Sequence, residues 1–476
     1  MAALPRLPDT GTVRLLDPGA GVGSLTASVI ARAVREGLAI TVHVTAFEVE
    51  DRLYRELVET LDDCRAVAAR HGITVVADPH RGDFVRWATE NLAGLLLATD
   101  RQRFDLVVMN PPYRKIGASS AERRLLARLG VEVPNLYAAF LALGAELLEP
   151  AGQLVAITPR SFTNGPYFRS FRWFFFDRVR LDRLHVIESR GTVFSDADVL
   201  QENVIIAATR SAHAAADTVI VSTSDGYRDP PRTRTMPYRN LIHPDDSQRF
   251  VRIAAYDGDT RVAAIMAALP ATLADLDLEV STGRVVDFRA REHLRDRPGD
   301  GTVPLIYPGH LRSGAVLWPM AGSRKPNALA RSHQTEKLLL PAETYVLVNR
   351  FSAKEELRRV SAAVFDPQDV PCQAVGFENH LNVYHRHNRG LPSDLAHGLC
   401  LWLNSTVVDQ YVRQFNGHTQ VNATDLRSLR YPSLEELTAL GAALGTGLWP
   451  EQDKIDRLVG EHVAALQERT VAEDSL

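Results

Sequence analysis

Cysteine is scarce in this chain of 476 residues: Cys64, Cys372 and Cys400 are odd in number and widely spaced, which argues against a disulfide framework or a zinc site. The three are expected to be reduced and structural, and no metal is expected. No apolar run approaches the roughly 20 residues needed to span a bilayer, and the N-terminus lacks a basic-then-apolar leader. The protein is therefore expected in the cytoplasm, away from membranes. A G-x-x-x-x-G-K-[ST] phosphate loop is missing, as is a trustworthy P-D-x-n-D/E-x-K nuclease pattern, so translocation or cleavage would need another chain. There is no internal repeat, low-complexity tract or coiled coil. Net charge is only −4, which does not by itself mark a nucleic-acid binder.

What is present is the composition of a soluble globular protein, too long for one core, so at least two domains are expected. Residues 281–390 hold about 16 Lys and Arg against about 11 Asp and Glu, a local surplus suited either to phosphate contacts or to ordinary solvated surface.

The chemistry is concentrated near the N-terminus. Phe104-Asp-Leu-Val-Val-Met-Asn-Pro-Pro-Tyr113 is an apolar strand running into a segment built to grip a planar amino group. Consecutive prolines fix φ and carry no N–H, so the Pro111 carbonyl can accept beside the Asn110 side-chain oxygen, and Tyr113 supplies a ring for stacking. An amine on an aromatic ring is a poor nucleophile because its lone pair is delocalised. Two acceptors holding its hydrogens favour a pyramidal nitrogen whose lone pair points at an electrophile, and no strong base is required.

The electrophile's place lies upstream in Arg14-Leu-Leu-Asp-Pro-Gly-Ala-Gly-Val-Gly-Ser24, a strand end, a glycine-rich turn and a helix start. Gly19, Gly21 and Gly23 let backbone approach a ligand. The pattern D-x-G-x-G-x-G differs from the dinucleotide fingerprint and suits S-adenosylmethionine, which has no pyrophosphate; a tight connection without a ligand is the alternative. A second strand, Thr41 to Phe47, ends at Glu48, where a carboxylate can accept both ribose hydroxyls. After a helix around Leu53 to Ala69 and a strand from Ile73 to Ala77 comes Gly82-Asp83-Phe84, with Asp83 placed to accept an adenine amino group and Phe84 to stack on the ring. Each acid has a solvated or capping role as its alternative.

The order of these motifs resembles the gamma-type N6-adenine DNA methyltransferases, and more narrowly the Eco57I-like and PstI/BsuBI-type modification enzymes. Asn135-Leu-Tyr-Ala-Ala-Phe140, Glu149-Pro-Ala-Gly152 and the strand Leu154 to Pro159 continue the likeness. So do Gly191-Thr-Val-Phe194 and the strand Gln201 to Ile206. The resemblance implies an α/β fold, a mostly parallel Rossmann-like sheet with helices on both faces, followed by a mixed α and β target-recognition domain. It implies catalysis by Asn110, Pro111, Pro112 and Tyr113, and cofactor binding by Asp17, Gly19, Ala20, Gly21, Gly23, Glu48, Asp83, Phe84 and Asn110. Tyr113 and Phe194 would pack against the target base, Phe194 being otherwise a core residue at a strand end. S-adenosylmethionine, leaving as S-adenosylhomocysteine, is the implied cofactor. Double-stranded DNA is the implied partner, with a restriction endonuclease or other defence subunit beside it.

The expected layout is a catalytic domain over residues 1–210, a connector with short strands over 211–250, a target-recognition domain over 251–432 and a helical segment over 433–476. Phe168, Phe171 and Phe175 fall at helical spacing and are expected to be buried, with Asn164 and Gly165 facing a DNA cleft. Glu378-Asn-His-Leu-Asn382 and Phe415 to Asp425 also resemble the PstI/BsuBI group, and their polar side chains suit base contacts or, for Asn422 to Asp425, helix capping. Gamma-type enzymes carry a further cofactor-contacting element before the glycine turn, which Met1 to Gly11 does not show, so a pocket open on the methionine side is expected. The alternatives are a recognition or scaffold subunit with partner-dependent activity, and an RNA or protein-glutamine methyltransferase.

Overall fold

The computed structural model describes residues 1–93, 102–117, 119–187, 203–210, 218–224, 226, 229–254, 258–352, 356–416, 419–445 and 449–466. The chain folds as two compact units, Met1–Ala255 and Tyr256–Leu476.

The first unit alternates strand and helix: β1 (Thr10–Pro18), α1 (Ser24–Glu36), β2 (Ala39–Glu48), α2 (Asp51–Ala69), β3 (Thr74–Arg81), α3 (Phe84–Leu92), β4 (Phe104–Met109), α4 (Ala121–Ala127), α5 (Leu136–Leu147), β5 (Leu148–Pro159), α6 (Arg169–Phe176), β6 (Val179–Ile187), β7 (Asn203–Arg210), β8 (Thr218–Ser224), β9 (Arg232–Pro237) and α7 (Tyr238–Leu241). The strands form one sheet in the order β3-β2-β1-β4-β5-β7-β6-β8-β9. Strands β3 to β5 are parallel; β7 runs antiparallel to both neighbours, and β9 to β8. The central strands are near-continuous apolar runs because both faces are covered. Successive residues serve opposite cores: Leu15, Leu106 and Val108 join Val29, Ile30, Leu57 and Leu61 of α1 and α2, while Leu16, Val107 and Met109 join α3, α5 and α6. Apolar spacing places α1 and α2 on their stripe, whereas α5 is apolar all round and buried all round.

Phe168, Phe171 and Phe175 are buried as their spacing predicts, and Asn164, only 1% exposed, and Gly165 are buried with them. The expected boundary at residue 210 is displaced. Residues 211–250 contribute β8 and β9 to the sheet, and the Val251 N–H donates to the Thr163 carbonyl. The short strands expected in this connector are therefore present, but they belong to the sheet, and a mostly exposed edge strand such as β9 keeps the polar composition of a connector.

The second unit is mixed α and β. One sheet runs Glu279–Thr282, Leu381–His385, Tyr345–Asn349, Ala362–Phe365, Ala315–Val316, Leu311–Arg312; the other runs Leu294–Arg295, Ala328–Ala330, Thr302–Ile306, Ala374–Phe377, Leu339–Pro341. Its helices are α8 (Asp259–Ala268), α9 (Ser393–Leu403), α10 (Thr406–Phe415), α11 (Ala423–Arg427), α12 (Leu434–Ala442) and α13 (Gln452–His462). Since α12 packs on α9, residues 433 onward belong to this unit's body rather than to a separate segment. Among the described residues no helix is long and apolar enough to cross a membrane.

Candidate active site

Strand order in the first sheet reverses between β1 and β4, and open α/β sheets bind ligands at the carboxyl ends of strands at such a point. A cavity of about 440 Å³ opens there, lined by the turns after β1 (Gly19 to Val22), β2 (Glu48 and Val49), β3 (Gly82 and Phe84) and β4 (Asn110 and Pro112), together with Phe47 and Phe140.

Gly19, Gly21 and Gly23 have φ of 91°, 58° and 85°, left-handed values that favour glycine. A Cβ on Gly21 would meet no atom within 4 Å, leaving open space over the turn, whereas one on Gly23 would press to 2.9 Å from Leu57 Cδ1. The N–H groups of Gly19 and Ala20 donate to the Phe47 carbonyl at 2.9 and 2.8 Å. The turn is thereby fixed to the end of β2 before any ligand arrives.

Glu48 completes this attachment. Its Oε2 accepts from Gly21 N–H at 2.9 Å, and its Oε1 accepts from the N–H groups of Val49 at 2.8 Å and Glu50 at 2.9 Å. A carboxylate offers about four acceptor positions, so about one remains for a ribose hydroxyl, and accepting two requires the Gly21 bond to yield. Asp17 stands beneath the turn rather than in the cavity: fully buried, its Oδ2 accepts from Thr26 Oγ1 at 2.8 Å, and its Oδ1 has no hydrogen-bond partner among the described residues. Burial, partly offset by the Thr26 hydrogen bonds, pushes its carboxyl up to about 7.

Asp83 does not line the cavity either. It is an exposed N-cap for α3, accepting from Arg86 N–H at 3.0 Å. Phe84 does line it, buried against Phe140 with ring centroids 4.9 Å apart and against Phe47 at 5.7 Å. Asn110 is exposed at the end of β4, Pro111 is buried and Pro112 lines the cavity. The Tyr113 hydroxyl lies 3.4 Å from Asn110 Oδ1, and its ring meets Tyr137 edge-on at 6.2 Å. Tyr137 is in turn fixed through a 2.7 Å hydrogen bond between its hydroxyl and Ser161 Oγ. Phe194 lies outside the described residues.

Three lining residues carry no signal in the sequence reading. Phe140 lies inside an apolar helix and Phe47 near the end of a strand, where either reads as an ordinary core residue. Val49, 66% exposed beside Glu48, is an apolar side chain at a strand end where a solvated one is usual, and that mismatch was the available clue. A glycine cradle with open space above it, a nearly buried carboxylate with an acceptor position in reserve, and an aromatic slot together fit S-adenosylmethionine.

Comparison with known proteins follows this geometry. The Eco57I restriction-modification methylase family matches residues 53–194. Over 95% of its length the chain is similar, at 39% identity, to the Type II methyltransferase M.PstI of Providencia stuartii, covering 88% of that protein. Over 93% it is 41% identical to the Type II methyltransferase M.BsuBI of Bacillus subtilis, covering 87%. Among solved structures, the Type IIL restriction-modification enzyme MmeI in complex with DNA shares the fold over 96% of this chain and 70% of that one, with a TM-score of 0.58 at 12% identity.

Proposed function

The chain belongs to the family of the type II methyltransferases M.PstI and M.BsuBI, and from that membership we propose that it methylates N6 of an adenine turned out of double-stranded DNA. It is a DNA methyltransferase of the restriction-modification class, and S-adenosylmethionine is its methyl donor. The observation that carries the finer reading is the meeting of the glycine-rich turn, Glu48 and Asn110 at one cavity.

When bound, S-adenosylmethionine supplies a methyl group on a sulfonium, which needs only a well-placed lone pair to react with. The chain's task is placement. Glu48 holds the turn and would accept one ribose hydroxyl, and Phe84, Phe47 and Val49 would offer the cofactor's adenine ring an apolar slot. Asp17 supports the start of α1 and Asp83 caps α3. At the other end, the amide oxygen of Asn110 leaves the Tyr113 hydroxyl and accepts from the target amine, and the Pro111 carbonyl accepts its second hydrogen. Extruding a paired adenine costs about a few kcal/mol, which contacts to DNA and stacking on Tyr113 offset. The second unit is assigned to target recognition, and a restriction endonuclease of the same specificity is the expected companion. The convergence of the turn, Glu48 and Asn110 on one cavity supports catalysis over a scaffold role.

The test is transfer of labelled methyl from S-adenosylmethionine to unmodified double-stranded DNA by this chain and its Asn110→Ala variant. The variant is expected to lose about 100-fold or more in rate, the scale on which misplacement of a reacting group acts, with cofactor affinity within a few-fold of wild type. Normal turnover by the variant would remove Asn110 from the mechanism.

A further inference from the structure

In the second unit, the strand Ala374–Phe377 runs into Glu378, whose side chain is 0% exposed. Its Oε2 accepts the His380 backbone N–H at 2.9 Å. Its Oε1 has no aligned hydrogen bond and stands 3.0 Å from His380 Nδ1. Burial pushes this carboxyl up, partly offset by the backbone N–H and imidazole of His380. Burying a carboxylate is costly, and one oxygen would suffice to hold the turn. The other faces an imidazole that is 39% exposed, so the buried acid determines how a surface group is presented.

The imidazole is held from a second side. Phe351, 42% exposed, meets it edge-on with ring centroids 4.7 Å apart and planes at 82°. The two loops are tied together where Arg350 N–H donates to the His380 carbonyl at 2.9 Å, and where the Arg350 guanidinium donates to the Asn379 carbonyl at 3.2 Å. In the neutral tautomer with its proton on Nδ1, the one that a facing carboxylate favours, Nε2 is an acceptor. A positioned imidazole and an exposed aromatic edge therefore stand together at the surface, while the Arg350 guanidinium is engaged with Asn379, Gln420 and Asn422 and braces the two loops.

We propose that His380 is a specificity-determining residue, its Nε2 accepting the exocyclic amino group of an adenine or cytosine in the major groove of the recognition sequence, with Glu378 as its positioning residue. This rests on the chain's reading as a DNA methyltransferase whose second unit recognises the target.

The test uses the full chain and its His380→Ala, Glu378→Gln and Phe351→Ala variants, each given S-adenosylmethionine and unmodified genomic DNA, with methylated positions mapped by sequencing. Cofactor affinity and Tm are measured alongside. Wild type is expected to modify one motif. His380→Ala is expected to accept other bases at one A or C position of that motif, raising methylation of such sites by about ten-fold or more, as loss of a base contact does. Glu378→Gln is expected to relax the same position less, with cofactor affinity unchanged. A profile identical to wild type at every position in His380→Ala, whether or not turnover slows, overturns the proposal. Should His380→Ala not fold, Phe351→Ala, at an exposed ring, decides by the same profile. Absence of motif-specific methylation by wild type overturns the underlying function and this assignment with it, whereas a wild-type motif retained by all variants overturns this assignment alone.

Discussion

Asp17 and Glu48 are two carboxylates at the ends of neighbouring strands, and their surroundings give them opposite tasks. Asp17 is buried with one oxygen unpartnered among the described residues, and burial raises its carboxyl from 3.8 to about 7 against the opposing hydrogen bonds of Thr26. A carboxyl raised in the folded state binds its proton more tightly there than in the unfolded chain. Its contribution is therefore full below the unfolded value and is lost as pH rises through the folded value. Compared with Asp17→Asn, wild type should lose up to about 4 kcal/mol of stability between about pH 4 and about pH 7. Urea unfolding of both proteins at pH 5 and pH 8 checks this; a difference independent of pH would place the charge outside the folding balance. Glu48 instead accepts three backbone N–H groups. Glu48→Gln puts an NH₂ where one set of these donors points, so the turn should loosen and cofactor binding weaken by about ten-fold or more, the scale of one lost charged hydrogen bond. Isothermal titration reads the affinity, and binding unchanged from wild type would mean that the glycine turn holds without this carboxylate. Both acids were legible because strand ends and spacing announce them. That Asp17 lies under the turn and that Glu48 is mostly committed to backbone were not, because side-chain type does not reveal which acceptor positions are already filled.

Among the elements, those with strong periodicity were read well: the helix around Leu53 to Ala69 is α2, and the phenylalanine face is α6. The elements missed were those that tertiary packing decides. Residues 211–250 read as a connector with short strands, and what their polar composition hid was that β8 and β9 extend the first unit's sheet to its edge; α9 and α10 lie between the two polar segments valued for base contacts and carry no reading of their own. Asn422 N–H donates to Asp425 Oδ2 at 2.8 Å, so that pair caps α11, as one of the two sequence readings had it. Helices α9 and α12 cross closely because each contributes a glycine. A Cβ on Gly398 would fall 1.7 Å from the Leu437 carbonyl oxygen, and one on Gly441 would fall 1.7 Å from that of Asp394. Backbone cannot give way as a flexible side chain can, so Gly398→Ala should cost about 3 kcal/mol or more through overpacking. Chemical denaturation measures it, and a loss under about 1 kcal/mol would mean that the helices can separate without harm.

At the scale of the molecule, the proposed methyl-transfer site lies in the strand-end turns of the first unit and the proposed recognition residue in the second. The motifs of the proposed site stood out in the sequence because methyl transfer to a planar amine demands particular residues in a particular order. Recognition did not, because many side chains can read a base and only the fold shows which are fixed in place, as Glu378 fixes His380. The central claim, transfer to adenine N6 in DNA, is tested most directly by incubating unmodified double-stranded DNA with the full chain and S-adenosylmethionine, digesting it to nucleosides and identifying the methylated product by mass spectrometry. The account predicts N6-methyldeoxyadenosine from wild type and at least about 100-fold less from Asn110→Ala. A methyl group recovered on cytosine, or methylation of RNA or protein with none in DNA, would contradict it.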